Sequence, residues 1–384
     1  ALGNYIADQL LQFGLQEPAG DADGYEGVMY NPVNPAMRPD LPGVQTLPYK
    51  NRWQPLAILP YIKSKGWDKT LKDWNNVLIQ HEDVFLTPHW GEITPFAMGN
   101  EQKSIMSREG NNFNVYNDPG PPPFMGKDQV NNAEYAWNFM LVSSWGAHND
   151  PNDATRIDIS PSSIGTTKGI LPRTFEEYKA FFSLEEGGCK TLPLKKNPKT
   201  RKNYAKNMVK RGDYSRVIAE YWVDGVNTLS PPGHWLSIFN EVCDDPNFEK
   251  RWMGEGTVLS DVEWDVKSYL TLTGGMHDAG ISAWSSKAFY DYIRPISAIR
   301  WMGQNGQCSD STLNNYHKEG LPLIEGKSEL VTKNDPLSGK DKEHLGKVKI
   351  YSWNGPGAIT DVTVDVAGAG WILAENWWPY QRYS

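Results

Sequence analysis

Two cations seven residues apart are the residues whose types and spacing most clearly indicate chemistry. Lys287 and Arg294 stand in an aromatic-rich segment, and Pro295 follows directly. On a helix, seven residues make two turns, so both side chains would emerge on one face. Such a pair suits a tetrahedral oxyanion such as phosphate or vanadate, because arginine offers a planar fork of donors and lysine a point charge.

Asp291 allows a second interpretation of the same segment. It lies four residues after Lys287 and three before Arg294, so on a helix it could pair with either cation. The segment would then be an ordinary salt-bridge network on a helix surface. Spacing alone leaves both interpretations open.

Other catalytic patterns are absent from the sequence. It contains no phosphate-binding loop of the pattern Gly-x-x-x-x-Gly-Lys-Ser/Thr, no dinucleotide-binding glycine fingerprint and no Gly-x-Ser-x-Gly elbow. None of the seven histidines forms the His-x-x-x-His pair that places two metal ligands on one helix face. We therefore expect no metal ligand set within these residues. His234 and His277 are interpreted as structural histidines, and Asp278 is given no role.

A basic run extends from Lys195 to Arg211 and contains eight lysines and arginines. One interpretation is a patch that binds an anion or a polymer. The interpretation we favour is a solvated insertion, which would aid the solubility of an acidic protein.

Capping signals predict the helices that must position the two cations. Capping-box pairs, an acidic residue before an apolar run and a proline pair mark four helix starts, at Thr174/Glu177, Ser260/Glu263, Asp213 and Pro231-Pro232. The helix that begins after Ser260 is expected to end at Gly274-Gly275, and a further helix to cover residues 276–293. No strand alternation is evident in this half, so the expected fold class is mainly α.

Composition limits the remaining possibilities. The chain has 384 residues, a formal net charge of −8 and no apolar run as long as the roughly 20 residues of a membrane-spanning helix, so we expect neither nucleic-acid binding nor a transmembrane segment. Three cysteines allow at most one disulfide. The proline-rich residues 117–123 predict a boundary between a loop-rich, partly helical region 1–123 and a helical region 124–384, although a loop within one domain would explain them equally well.

The segment around Lys287 resembles the first motif of the superfamily of vanadium-dependent haloperoxidases and type 2 phosphatidic acid phosphatases. In that motif a lysine, six residues and Arg-Pro open the oxyanion pocket. Further segments resemble the haloperoxidase-like branch, at residues 51–56, 87–91, 158–161, 221–225, 230–235 and 294–300. The likeness extends from about residue 51 to residue 380.

The resemblance implies a helical-bundle haloperoxidase-like fold and peroxide-driven oxidation of a halide with a vanadate cofactor. Lys287 and Arg294 would be the catalytic and cofactor-binding residues that hold the oxygens of vanadate or phosphate, and Lys287 would also polarise a bound peroxide. The alternatives are an acid phosphatase that acts on a phosphate ester, and a non-catalytic structural or partner-binding member of the superfamily.

Later motifs of the superfamily are missing from this sequence. It contains no Ser-Gly-His, and after residue 300 no Ser-Arg that a histidine follows at short range. The resemblance therefore implies that the histidine which bonds vanadium lies beyond Ser384, in a further segment or another chain. We expect the 384-residue chain to be the N-terminal part of the active unit and inactive alone. An exported location, extracellular or periplasmic, and a homo-oligomer are further expectations.

Overall fold

The computed structural model describes residues 2–19, 30–58, 90–163, 172–185, 194–197, 200–223, 229–361 and 364–380. These residues form two compact units, and each unit contains several chain segments. The first comprises Ala1–Ala36, Arg52–Pro122 and Asp224–Tyr292, and the second comprises Met37–Asn51, Pro123–Val223 and Ile293–Ser384. The division at residue 123 into two consecutive domains stays a prediction. Residues 87–89, 189, 199, 224–225 and 381–384, on which sequence expectations fall, lie outside the described residues.

The described residues form seven α-helices and seven short strands. In chain order the α-helices are α1 (Leu2–Gly14), α2 (Gln129–Gly146), α3 (Phe175–Phe181), α4 (Arg211–Tyr221), α5 (Pro231–Asp244), α6 (Asp261–Tyr290) and α7 (Pro295–Gly303). The strands are β1 (Lys103–Arg108), β2 (Asn111–Tyr116), β3 (Arg156–Asp158), β4 (Met208–Lys210), β5 (Ser328–Leu330), β6 (Val348–Trp353) and β7 (Ala369–Leu373). No described helix is both long enough and apolar enough to cross a bilayer.

The first unit is organised around the thirty-residue helix α6. Its inward residues recur mostly at helical spacing and are Trp264, Ser268, Gly274, Asp278, Ile281, Ser285 and Ala288. Against this face lie strand β2 and a short 3₁₀ helix at Trp90–Glu92. β1 and β2 pair antiparallel through a two-residue turn at Glu109-Gly110, where both φ angles are positive.

The predicted break at Gly274-Gly275 is wrong, because α6 continues through both glycines. Gly274 faces Phe96, and a Cβ built at Gly274 would lie 2.3 Å from a ring carbon of that residue. At Gly275 a Cβ would meet open space. Gly274 therefore serves close packing between α6 and residue 96 rather than helix termination.

The expected helix over residues 276–293 is also wrong at its end. α6 stops at Tyr290, and Asp291 adopts the left-handed conformation with φ 46° and ψ 44°. Arg294 is extended, as the residue before a proline prefers, and α7 begins at Pro295. Lys287 and Arg294 therefore do not lie on one helix, and the argument from two helical turns fails.

The second unit combines helices with a three-stranded antiparallel sheet in the order β5-β6-β7. Helix α2 packs on β6 and on α7, and Ser352 on β6 donates a 2.6 Å hydrogen bond to the carbonyl of Ser143 on α2. The expectation of no strand in this half is therefore wrong. β6 shows the alternation of a strand, because Val348 and Ile350 are buried while Lys349 between them is partly exposed. The chain is helix-rich with small sheets.

Three of the four predicted helix starts are confirmed. The Thr174 and Ser260 side chains accept hydrogen bonds from the backbone N–H groups of Glu177 and Glu263, and α5 begins at Pro231. Asp213 is not a cap, because α4 already begins at Arg211. Its carboxylate instead accepts a 2.5 Å hydrogen bond from Arg216, one helical turn further on.

Candidate functional site

Lys287 lies on the exposed face of α6, near the end of that helix. Its amine is 4.4 Å from the ring centre of Trp284, which is within cation–π range. Trp284 in turn stacks on Trp90, with ring centres 5.9 Å apart. In the first unit, the lysine ammonium thus lies over the solvent-exposed ring of Trp284, which stacks on Trp90.

Arg294 belongs to the second unit and occupies the cap position of α7. Part of its side chain is exposed, yet desolvation by the surrounding protein lowers the pKa of its guanidinium. Arginine remains charged in proteins despite such a shift. The structure thus places a cation directly before the N-terminus of α7, where the backbone N–H groups also favour negative charge.

Asp291 pairs with neither of the cations that its spacing indicated as partners. Its buried carboxylate accepts hydrogen bonds from Arg52 Nε at 2.6 Å and from the Tyr30 hydroxyl at 2.5 Å. Its backbone carbonyl accepts from the Trp53 N–H at 2.7 Å. The expected network of Asp291 with Lys287 or Arg294 is therefore replaced by long-range contacts within the first unit.

The ionisation of this cluster follows from its burial. Desolvation raises the pKa of the Asp291 carboxyl, and the hydrogen bonds from Tyr30 and Arg52 oppose that rise. Burial and the hydrogen bond to Asp291 raise the pKa of the Tyr30 hydroxyl. Arg52 also forms a 2.8 Å ion pair with Glu109, whose pKa that hydrogen bond lowers. The cluster is an ion-pair network centred on the buried Asp291 carboxylate, with Glu109 at its exposed edge, and its tyrosine is held as a neutral donor.

Arg108 joins the β1–β2 hairpin to the end of α6. Its Nη1 donates to the carbonyls of Ala288, at 3.0 Å, and of Phe289. Its guanidinium lies 4.8 Å from the ring centre of Phe113, and burial lowers its pKa. A cation in this position satisfies carbonyls that the end of the helix leaves without intrahelical partners.

A cavity of about 290 Å³ adjoins this cluster within the first unit. Tyr30, Arg108 and Glu109 line it, together with Ser285 and Ala288 of α6. The sequence did not identify this group, because its members are far apart along the chain. Among the cluster residues, Arg52 and Asp291 lay in segments that the resemblance had marked, at residues 51–56 and around Lys287.

His277 and Asp278 have structural contacts. A ring nitrogen of His277 lies 3.0 Å from the carbonyl oxygen of Thr94. The Asp278 carboxylate accepts hydrogen bonds from the backbone N–H groups of Phe96, Ala97 and Met98, at 2.6, 2.8 and 3.0 Å. Both residues thus fix the loop at residues 94–98 on α6. His234 is buried in the first turn of α5.

Within the part of the chain that the structure describes, no three His, Cys, Asp or Glu side chains are grouped so that they could hold a metal ion. Cys243 and Cys308 are free thiols.

Comparison with protein families gives one relationship. The family model described as the VCPO second helical-bundle domain matches residues 267–384. This range includes Lys287, Arg294 and all of β5–β7. Comparison with curated proteins and with solved structures yields no match. Residues 267–384 are therefore similar to a domain of vanadium haloperoxidase-like proteins.

Proposed function

We propose that this chain contributes the first oxyanion-binding motif of a vanadate-dependent enzyme that oxidises halide with hydrogen peroxide. The observation that carries the proposal is the family match over residues 267–384, which includes the Lys287…Arg294-Pro295 motif. Bound vanadate would supply peroxide activation. Lys287 and Arg294 are proposed to bind its oxygens, because fixed cations stabilise an oxyanion and the negative charge that develops on it.

The side chains present fit this cofactor in part. Lys287 offers an exposed ammonium, and Arg294 offers a guanidinium at a helix N-terminus, as the oxygens of vanadate require. A histidine nitrogen that could bond vanadium is not assigned among the described residues. We therefore propose that this histidine comes from a segment or chain outside the 384 residues.

Activity assays on the protein as its source produces it test this proposal. Bromination of a phenolic acceptor is measured with vanadate, bromide and hydrogen peroxide, beside hydrolysis of p-nitrophenyl phosphate. We expect bromination, and we expect Lys287→Ala to lower it about 100-fold, the usual loss for one preplaced donor. The matched control is Lys267→Ala, which removes another exposed lysine of α6, one paired with Glu263.

Each outcome of these assays has a defined meaning. Hydrolysis of the phosphate ester without bromination would show that the protein is a phosphatase and not a haloperoxidase. Absence of both activities would favour the non-catalytic alternative. Equal activity of Lys287→Ala and Lys267→Ala would show that Lys287 is not part of the site. For the 384-residue chain alone we expect no vanadate binding with a micromolar Kd, since the covalent ligand is not assigned in it.

A further inference from the structure

The cavity beside Arg108 has a lining rich in asparagines. Asn31, Asn111, Asn112 and Asn114 all contribute to it, and three of them belong to β2. Each amide carries both a donor and an acceptor, so the wall can bond a group that is itself donor and acceptor. Hydroxyl groups have this property, whereas a simple anion only accepts.

The cavity lining carries charges of both signs. Arg108 is one cation in the lining, and Glu92 and Glu109 are two carboxylates. Glu109 is already paired with Arg52, and Glu92 accepts a 2.7 Å hydrogen bond from the Asn114 side chain. A strongly charged ligand, of either sign, would therefore meet a group that repels it. The lining favours a neutral, polar occupant.

Buried polar atoms behind the lining still lack partners. Within the described ranges, no acceptor bonds Arg108 Nε and no donor bonds Asp291 Oδ1, although both atoms are buried. Native proteins satisfy such atoms with ligand or water, because a buried polar group without a hydrogen bond is costly. Arg108 itself lines the cavity, so hydroxyl groups that enter there would approach its guanidinium.

The size and lining of the cavity further limit the class of ligand that it can bind. A volume of about 290 Å³ is at the small end for ligand sites and suits a molecule of one ring. Tyr30 and Phe113 supply apolar surface beside the polar wall, and the Arg108 guanidinium, 5.9 and 4.8 Å from their ring centres, holds them. Aromatic rings beside asparagine residues match a pyranose ring, which has apolar C–H faces and a rim of hydroxyls.

We infer that this cavity is a binding site for a neutral, polyhydroxylated molecule of the size of one sugar ring. The cavity lies against the buried side of α6, at Ser285 and Ala288, whereas Lys287 lies on the exposed side of the same helix. The inference rests on the cavity and its amides and does not depend on vanadate, so it can fail or succeed independently of the proposed function.

Ligand titration of the full chain tests the inference. The probes are D-glucose, D-galactose and D-mannose, followed by saturation-transfer NMR and calorimetry, with inorganic phosphate and phenol as comparison ligands. We expect saturable, millimolar binding of at least one sugar. Asn111→Ala should weaken it about five- to tenfold, the effect of one lost hydrogen bond. Asn207→Ala is the matched control, since Asn207 is an exposed asparagine of the other unit.

Glu92→Gln provides a second variant that keeps the shape of the side chain and removes its charge. It should change sugar affinity without creating phosphate binding, and its thermal unfolding should match that of the unaltered chain. The inference is overturned if no sugar saturates, or if Asn111→Ala and Asn207→Ala bind the sugar equally. Binding of phosphate that Asn111→Ala abolishes would also overturn it, because an anion site would then occupy the cavity.

Discussion

At the scale of single residues, the most informative side chain is Asp291. Its position between Lys287 and Arg294 indicated a partner on the same helix, but its side chain is 1% exposed and bonded to Arg52. Removing one partner of a buried ion pair leaves the other charge uncompensated, which costs far more than losing an exposed pair. Sequence spacing could not separate these two cases.

Replacement of Arg52 by methionine tests how much the Arg52–Asp291 ion pair contributes to stability. We expect Arg52→Met to lower the free energy of unfolding of the first unit by about 3–5 kcal/mol, because the Asp291 carboxylate would stay buried without its cation. Urea unfolding monitored by tryptophan fluorescence measures the change. Lys267→Met, which removes an exposed pair on α6, should cost only about 0.5 kcal/mol. Equal losses for the two variants would show that the Asp291 pair is not buried.

His148 gives the second prediction at this scale. It is buried in the second unit, and desolvation, with the nearby charges of Arg211 and Lys327, lowers its pKa to about 4, against the opposing influence of Asp153 and Glu185. The unfolded chain has the ordinary histidine pKa near 6.5, so it binds the proton first as the pH falls. Stability from this group is therefore complete above about pH 6.5, and it is lost between about pH 6.5 and 4.

The expected loss from His148 is up to about 3 kcal/mol across that window. Urea unfolding at pH 7.5 and pH 4.5 measures it, and His148→Gln, which cannot titrate, should flatten the dependence. His277→Gln is the control, since His277 is an exposed histidine of the other unit. An unchanged slope in His148→Gln would contradict the assignment.

At the scale of elements, two adjacent glycines of α6 have opposite roles. Glycine generally weakens a helix interior, and that rule predicted a helix end at residues 274–275. Burial decides the matter instead, because α6 continues to bury residues at helical spacing on both sides of the pair. Packing of one face stabilises most protein helices more than local propensity does.

The same substitution at the two positions should therefore have opposite signs. Gly275→Ala should stabilise the first unit by up to about 1 kcal/mol, since alanine is the better helix former and its methyl group meets open space. Gly274→Ala should destabilise the unit by about 1–2 kcal/mol, because its Cβ would overlap the Phe96 ring, which must move. Thermal unfolding of both variants measures the difference. Stabilisation by Gly274→Ala would show that α6 does not pack closely on Phe96.

At the scale of the whole chain, each compact unit combines segments distant in sequence. In the second unit, the guanidinium of Arg300 is buried and donates to the carbonyls of Pro39, Leu41 and Trp377 at 2.9–3.1 Å. One side chain of α7 thus ties together segments more than 300 residues apart in the sequence. Such contacts, rather than any single helix, define the unit.

Arg300→Lys tests how far this hydrogen-bonded fork matters. Lysine keeps the charge but cannot reproduce the planar donor geometry, so we expect a loss of about 2–4 kcal/mol in the second unit. Arg201→Lys changes an exposed arginine of the same unit and should stay within about 0.5 kcal/mol of the unaltered chain. Urea unfolding measures both, and an equal response would show that Arg300 does not join the segments.

Local signals in the sequence were sufficient for much of the helical structure. The caps at Thr174 and Ser260 and the proline start of α5 were predictable, because each depends on residues within one turn of the helix end. The similarity of residues 267–384 to a haloperoxidase-like domain was also predictable, from the motif at Lys287 and Arg294-Pro295. The short strands β5–β7 were not found, since strand pairing joins residues that a local pattern does not connect.

The sequence by itself determined that Lys287 and Arg294 are present, that a proline follows, and that helices begin after Thr174 and Ser260 and at Pro231. Only the tertiary structure decided that α6 ends at Tyr290, because Asp291 turns into the left-handed conformation and bonds Tyr30 and Arg52. Residues 30, 52 and 291 form one cluster, and spacing along the chain carries no record of it. The end of α6 depends on burial and charge pairing with residues far away in the sequence, so local patterns do not predict it. The starts after Thr174 and Ser260 depend on residues within one turn, so local patterns do predict them.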